Sequence, residues 1–240
     1  MEKMHLVPVI HLVDGQALIE NKKTGEKLLT DPVDLAVELD ELNFDELLLI
    51  DDNGEAKGEF SAFDLLYEIE GYTQFEIIVK GGLREFDSIG KAFEAGASRV
   101  HLTSLSISNP ELITQLIDAY GSNSFIIGMD LQEDSLVYKN KQEKSEVAIE
   151  HIIDMFSALG IDRYSLQMIN DIGKYLNPDP VFLDKIVSAY PRIRLYAGEG
   201  LDNTTQFEEF EHAGLKGMFL GDDFYTNEEL FRGLNEYLIE

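Results

Sequence analysis

The sequence contains no cysteine, which excludes a disulfide framework, a thiolate metal site and a thiol nucleophile together. Positive charge is scarce: 19 basic residues stand against 46 acidic ones, for a formal net charge of −27 at pH 7. Such a field repels nucleic-acid phosphates and anionic lipid surfaces, so neither nucleic acid nor a membrane is expected as a partner. The excess carboxylates belong chiefly on solvated helix exteriors. No apolar run reaches the ~18 residues that cross a bilayer, and Met1 to Leu6 lacks a basic region followed by a long apolar stretch. A soluble, cytoplasmic protein is expected. No Pro-rich, Ser-rich or low-complexity linker interrupts the 240 residues, so residues 1–240 are expected to form one domain around one core.

What the chain does contain is a series of short apolar runs at 7–10, 47–50, 77–79, 100–102, 125–129, 164–169, 193–197 and 218–220. Continuous rather than alternating hydrophobicity marks strands buried on both faces, as in a parallel sheet covered by helices. Helical spacing fills the intervals. Ile89, Ala92 and Phe93 share a face ahead of Gly96, and Phe207 and Phe210 do so ahead of Gly214. Eight strand–helix units in a chain close to the roughly 250 residues of an eightfold barrel predict an α/β fold, a closed (βα)8 TIM barrel. A doubly wound open sheet is the alternative.

The chain also resembles itself. Residues 77–112 align without a gap on 195–230, matching Gly82 to Gly200, Leu83 to Leu201, Ala95 and Gly96 to Ala213 and Gly214, and Leu102 to Leu220. A similar offset carries His11 onto Asp130. A period of half the chain suggests two half-barrels, about 1–121 and 122–240, with equivalent loops at the same barrel end.

Barrels of this kind keep their chemistry on the loops after the strands. His11 after strand one and Asp130 after strand five are the candidate acid/base pair, because an imidazole and a carboxylate facing across a pocket exchange protons near neutral pH. Asp51, after strand two, is a third candidate catalytic group. Gly81 and Gly82 permit close backbone approach after strand three; with Arg84, Thr103, Ser104 and the neighbouring Lys80 they outline an anion pocket suited to a phosphate. The plainer reading of the two glycines is a tight turn from strand to helix. In the second half Gly198, Glu199, Gly200, Gly221 and Asp222 occupy the equivalent place. Carboxylates there repel phosphate and favour a cation, an amine or a hydroxyl, or simply form a solvated acidic rim. His5, His101, His151 and His212 show no metal-ligand spacing, and neither a metal nor a cofactor is expected.

The segments 8–15 (PVIHLVDG), 49–54 (LIDDNG), 79–84 (VKGGLR) and 127–130 (IGMD), joined to the half-chain repeat, resemble the family of histidine-biosynthesis barrels. That family contains phosphoribosylformimino-aminoimidazole-carboxamide ribotide isomerase and the cyclase subunit of imidazole glycerol phosphate synthase. The resemblance implies a site for a substrate with a phosphate at each end and acid/base carboxylates on strands one and five. Asp130 matches the second carboxylate, whereas His11 stands where the family has Asp. Met168 takes the acidic position of the family's T-D-I-x-R-D-G loop, which here spans 167–173. Glu199 interrupts the S-G-G of the second phosphate loop, and Leu48 replaces a strand-two His. One half of the family's site is kept and the other is rewritten. This implies an Amadori-type aldose–ketose isomerase for a smaller or singly phosphorylated aminosugar. Two alternatives stand beside it. One is a barrel without catalysis that binds a ligand or a protein, with a glutaminase-like partner or a second copy of itself. The other is the histidine-pathway isomerase with a rebuilt second phosphate site.

Overall fold

Strands buried on both faces need helices outside and side chains inside, and a closed ring meets both needs without leaving a sheet edge. The computed structural model describes residues 3–21, 23–103, 109–132, 135–138, 143–169, 175–176, 179–201 and 203–239. Its ring is formed by β1 (His5–Val13), β2 (Glu46–Asp51), β3 (Glu76–Lys80), β4 (Arg99–Leu102), β5 (Phe125–Gln132), β6 (Arg163–Ile169), β7 (Arg194–Gly198) and β8 (Gly217–Leu220). Each pairs in parallel with the next in chain order. β8 closes on β1 through the register His5 with Gly217 to Pro8 with Leu220. This is the expected (βα)8 barrel, and the eight apolar runs lie on its eight strands. The self-similar segments 77–112 and 195–230 carry β3 with β4 and β7 with β8.

Alternation along each strand divides the side chains between two compartments. Leu47, Leu49, Ile77 and Val79 face outward into the main core. The same core takes in Ile89 and Ala92 of the helix Phe86–Glu94 and, farther round the ring, Phe207 and Phe210 of the helix Thr204–His212. Gly96 and Gly214 follow those two helices with φ of 106° and 83°, the left-handed geometry that ends a helix.

The inward compartment has three tiers. Val7, Val9, Leu48, Ile50, Ile78, Ile126, Tyr196 and Phe219 form a separate apolar cluster across its middle, where Tyr196 stacks on Phe219 at 5.5 Å. Toward the strand N-termini lie His5, Glu46, Glu76, Arg99, Arg163 and Arg194. Toward the C-termini lie His11, Lys80, Asp130, Gln167 and Glu199.

Two excursions have no counterpart among the apolar runs. Gln16–Glu20 pairs antiparallel with the end of β1 and then with Lys27–Thr30, and Ser135–Tyr138 folds back on β5 and pairs with Glu143–Lys144. Each carries only a three-residue apolar stretch, Ala17-Leu18-Ile19 and Leu136-Val137-Tyr138. Among the described residues no helix is long and apolar enough to cross a membrane.

Candidate active site

β1 enters the barrel mouth with His11 on its inward face, two residues beyond Val9 of the apolar tier. The imidazole is gripped from both sides: Nε2 lies 2.8 Å from Glu199 Oε2, and Nδ1 lies 3.1 Å from Asp52 Oδ2. Burial pulls the imidazole pKa down, but the Glu199 and Asp52 carboxylates outweigh it and push it up to about 10. His11 is therefore an imidazolium at neutral pH. Burial also opposes ionisation of Glu199, yet His11, Lys80 and the amide of Gln167 hold its carboxyl down at about 2.

A relay extends from this pair across the lumen. Gln167 on β6 donates from Nε2 to Glu199 Oε1 at 3.0 Å, and Lys80 on β3 donates to Gln167 Oε1 at 3.3 Å. Asp130 sits beside it, because β5 and β6 pair Asp130 with Gln167 and Asp130 is 5% exposed. Two residues earlier, a Cβ on Gly128 would strike the Thr103 hydroxyl at 2.8 Å, which fixes this face of β5 as inward. His11 and Asp130 thus project into one compartment, Asp130 flanking Gln167 as its neighbour on the adjacent strand.

Asp51 is placed differently, and the acid/base role expected for it finds no support in its position. It pairs with Leu12 of the outward core, so its carboxylate faces the helix layer. There it accepts from Gly54 N at 2.7 Å, Ser61 N at 2.6 Å and Ser61 Oγ at 2.8 Å, capping the helix Asp52–Lys57. The carboxylate that this strand end supplies to the mouth is Asp52.

The strand-three glycines adopt φ of 109° and 72°. A Cβ on Gly82 would come within 2.6 Å of the backbone of Gly54, Glu59 and Phe60. The close approach they permit is to the chain's own 51–60 segment. Arg84 reaches the same segment, donating from Nη2 to the Glu55 carbonyl at 3.3 Å. The helix Phe86–Glu94 begins behind Glu85 and carries Asp87 in its first turn, so carboxylates already border its N-terminus. Thr103 ends up beside His101, its hydroxyl 3.3 Å from Nδ1. Ser104 and residues 170–173 of the strand-six loop lie outside the described residues.

In the second half Glu199 has a left-handed φ of 51° and is 4% exposed. It lies over Gly221, whose added Cβ would meet Glu199 Cβ at 3.3 Å. Gly198 makes room for Gln167, and Gly200 leads toward the helix Thr204–His212. Asp222 accepts from the backbone of Glu20 at 3.2 Å. Glu199 is therefore an interior ion-pair partner, not part of a solvated rim.

Sequence reasoning missed Asp52, the lumen positions of Gln167 and Lys80, and His101. Buried His101 lies 2.6 Å from Ser165 Oγ; burial and the nearby Lys80 drive its pKa down to about 3, leaving it neutral. Counting by twos from Ile50 and from Ile78 of the apolar tier would have found Asp52 and Lys80; β4 and β6 contribute nothing to that tier, so His101 and Gln167 carried no such signal.

A closed parallel ring that presents His11, Lys80, Asp130 and Glu199 at the strand C-termini defines the class, a (βα)8 barrel with its candidate chemistry at the conventional end. The chain belongs to the histidine biosynthesis protein family, whose model matches residues 5–229. It is similar over nearly its whole length to proteins named 1-(5-phosphoribosyl)-5-((5-phosphoribosylamino)methylideneamino)imidazole-4-carboxamide isomerase. The one from Halothermothrix orenii is 24% identical over 98% of this chain and 100% of its own. Those from Leuconostoc mesenteroides and Dehalococcoides mccartyi are 21% and 25% identical, covering 96% and 94% of this chain and 98% and 95% of theirs.

Proposed function

We propose that this chain is an isomerase that converts a phosphorylated aminoaldose into the corresponding aminoketose by an Amadori rearrangement. The activity in its relatives' names supports the reaction class. The observation that carries the assignment of roles is the grip of Glu199 and Asp52 on His11, which keeps the imidazole protonated beside a compartment shared with Asp130.

In this reading His11 is the acid and Asp130 the base. The imidazolium protonates the ribose ring oxygen as the bond from C1 to that oxygen breaks, leaving an iminium at C1. Asp130 removes the proton from C2, and the C–H electron pair forms the C1–C2 double bond while neutralising the iminium nitrogen. The enol then gains a proton at C1 and loses its hydroxyl proton. The ketose results with no net change in protons. The family resemblance assigns the phosphate to the loops after β3 and β4, which carry Gly81, Gly82, Arg84, Thr103 and Ser104, although the close approach that Gly81 and Gly82 permit is to residues 51–60. A second phosphate meets Glu199 over Gly221 and Asp222 close by, whose like charge disfavours it; the substrate is accordingly singly phosphorylated.

His11→Ala and Asp130→Asn are each expected to lower turnover of a singly phosphorylated ribosylamine by about 10²–10⁴-fold, with circular dichroism showing an intact fold. Unchanged turnover in both variants would remove the proposal.

A further inference from the structure

An acid needs a proton that its substrate can reach, and His11 holds none in reserve. A doubly protonated imidazole has two N–H groups, one at each ring nitrogen. Both are engaged: Nε2 lies 2.8 Å from Glu199 Oε2, and Nδ1 lies 3.2 Å and 3.1 Å from the two oxygens of Asp52. One of these contacts must open before the ring can give a proton to anything else.

The two contacts are not equally fixed. Glu199 is buried, its Oε1 accepts from Gln167 Nε2 at 3.0 Å, and its backbone N–H donates to the Phe219 carbonyl at 3.0 Å. Gln167 accepts in turn from Lys80. Withdrawing this carboxylate would strand a buried charge and break the amide contact behind it, which is costly. The Asp52 side chain is 36% exposed, so water can replace the imidazolium at its oxygens, and contacts between exposed charges are weak. Its withdrawal needs no movement of the backbone. Asp51 accepts from Gly54 N at 2.7 Å, and Asn53 Oδ1 accepts from Asp14 N at 2.6 Å. The residues on either side are therefore anchored while the Asp52 carboxylate turns about its own side-chain bonds.

We propose that Asp52 is a gate on His11: it covers Nδ1 until a ligand oxygen displaces it there, so that Nδ1, and not Nε2, carries the proton that is transferred. The inference rests on the reading of His11 as the acid and names the nitrogen that this reading leaves open. Displacement also tunes the acid. Against burial, Glu199 and then Asp52 push the imidazole pKa up to about 10, which makes the ring a weak proton donor at neutral pH. Withdrawal of Asp52 brings that value down toward the operating pH, where a general acid is most effective. The ligand that opens the gate thereby strengthens the acid it meets, and a molecule with no oxygen aimed at Nδ1 leaves the gate shut.

NMR of the full chain labelled with ¹⁵N in its histidine rings tests it, with ribose 5-phosphate as the probe. That sugar carries a phosphate and a ring oxygen but no amine from which to form the iminium, so the experiment reads binding without turnover. In wild-type protein the His11 Nδ1 signal should shift on binding while Nε2 keeps its position. By calorimetry Asp52→Ala should bind the probe roughly tenfold more tightly, the factor for a competent state populated about one-tenth of the time. Glu199→Gln removes an equal charge from the same ring without opening the gate and should not reproduce the gain. The inference is overturned if Nε2 shifts in place of Nδ1, or if neither nitrogen shifts when heat shows the probe bound. It is overturned equally if Glu199→Gln gains as much as Asp52→Ala, or if the probe binds neither wild type nor Asp52→Ala. Turnover of the phosphorylated ribosylamine by a protein whose Nε2 is the nitrogen that shifts would strike the gate and leave the isomerase. An Nδ1 shift without that turnover would strike the isomerase and leave the gate.

Discussion

His11 lies between two carboxylates contributed from distant parts of the chain, and Glu199, the nearer, adopts a left-handed backbone that a side chain with a Cβ enters at a cost of about 1–2 kcal/mol. The ion pair offsets that strain. Replacing Glu199 with Gln leaves Asp52 as the sole carboxylate on the ring, so the imidazole pKa should fall from about 10 toward its ordinary value, as an NMR titration of His11 would read. The stability effect has a defined pH window. A histidine pKa raised from 6.5 to about 10 stabilises fully below 6.5 and loses its contribution as pH rises through 10. A glutamate pKa lowered from 4.5 to about 2 stabilises fully above 4.5 and loses its contribution as pH falls through 2. The Glu199→Gln penalty, about 3 kcal/mol for a broken buried pair, should therefore be greatest between those limits, at pH 4.5 to 6.5, in urea denaturation. A penalty that grows above pH 10 would contradict the pairing.

At the scale of elements, the end of β2 sets two adjacent aspartates half a strand period apart, on opposite faces. Asp51 secures the helix Asp52–Lys57 and the Ser61 backbone, while Asp52 turns to His11. Asp51→Ala should cost about 1–2 kcal/mol through loss of the cap while leaving the His11 titration unchanged. Asp52→Ala should do the reverse, lowering the imidazole pKa with little loss of stability. The two aspartates were not separable from composition. Both follow the same apolar run, and only the inward parity of Leu48 and Ile50 assigns the lumen to the even-numbered one. The glycine loop after β3 shows the same limit: Gly81 and Gly82 were legible as a tight backbone approach, but not that the approach is to residues 51–60. The hairpin of Gln16–Glu20 with Lys27–Thr30 was illegible because its apolar stretches, Ala17-Leu18-Ile19 and Leu28-Leu29, are short and largely outside the core, with Leu28 and Leu29 exposed.

For the whole molecule, the barrel was legible because burial on both faces leaves eight predominantly apolar segments, a signal local to each strand that inward groups such as His101, Ser165, Gln167 and Arg194 interrupt without erasing. The mouth was only half legible. His11 and Asp130 could be named from strand ends, but the bond from His11 to Glu199 spans 188 residues, and no local pattern records it. A net charge of −27 adds self-repulsion to the compact state. The melting temperature should rise as sodium chloride increases to about 0.15 M, where the screening length is about 8 Å, and a falling melting temperature would assign the charge another role. The central claim is that the mouth removes a proton from C2 of an aminoaldose, and it is tested most directly by NMR of a C2-deuterated, singly phosphorylated ribosylamine incubated with the protein in ordinary water. Loss of deuterium from C2 with formation of the ketose is the expected result, abolished in Asp130→Asn. Retention of the label by the wild-type protein, or its loss at an unchanged rate in Asp130→Asn, would contradict it.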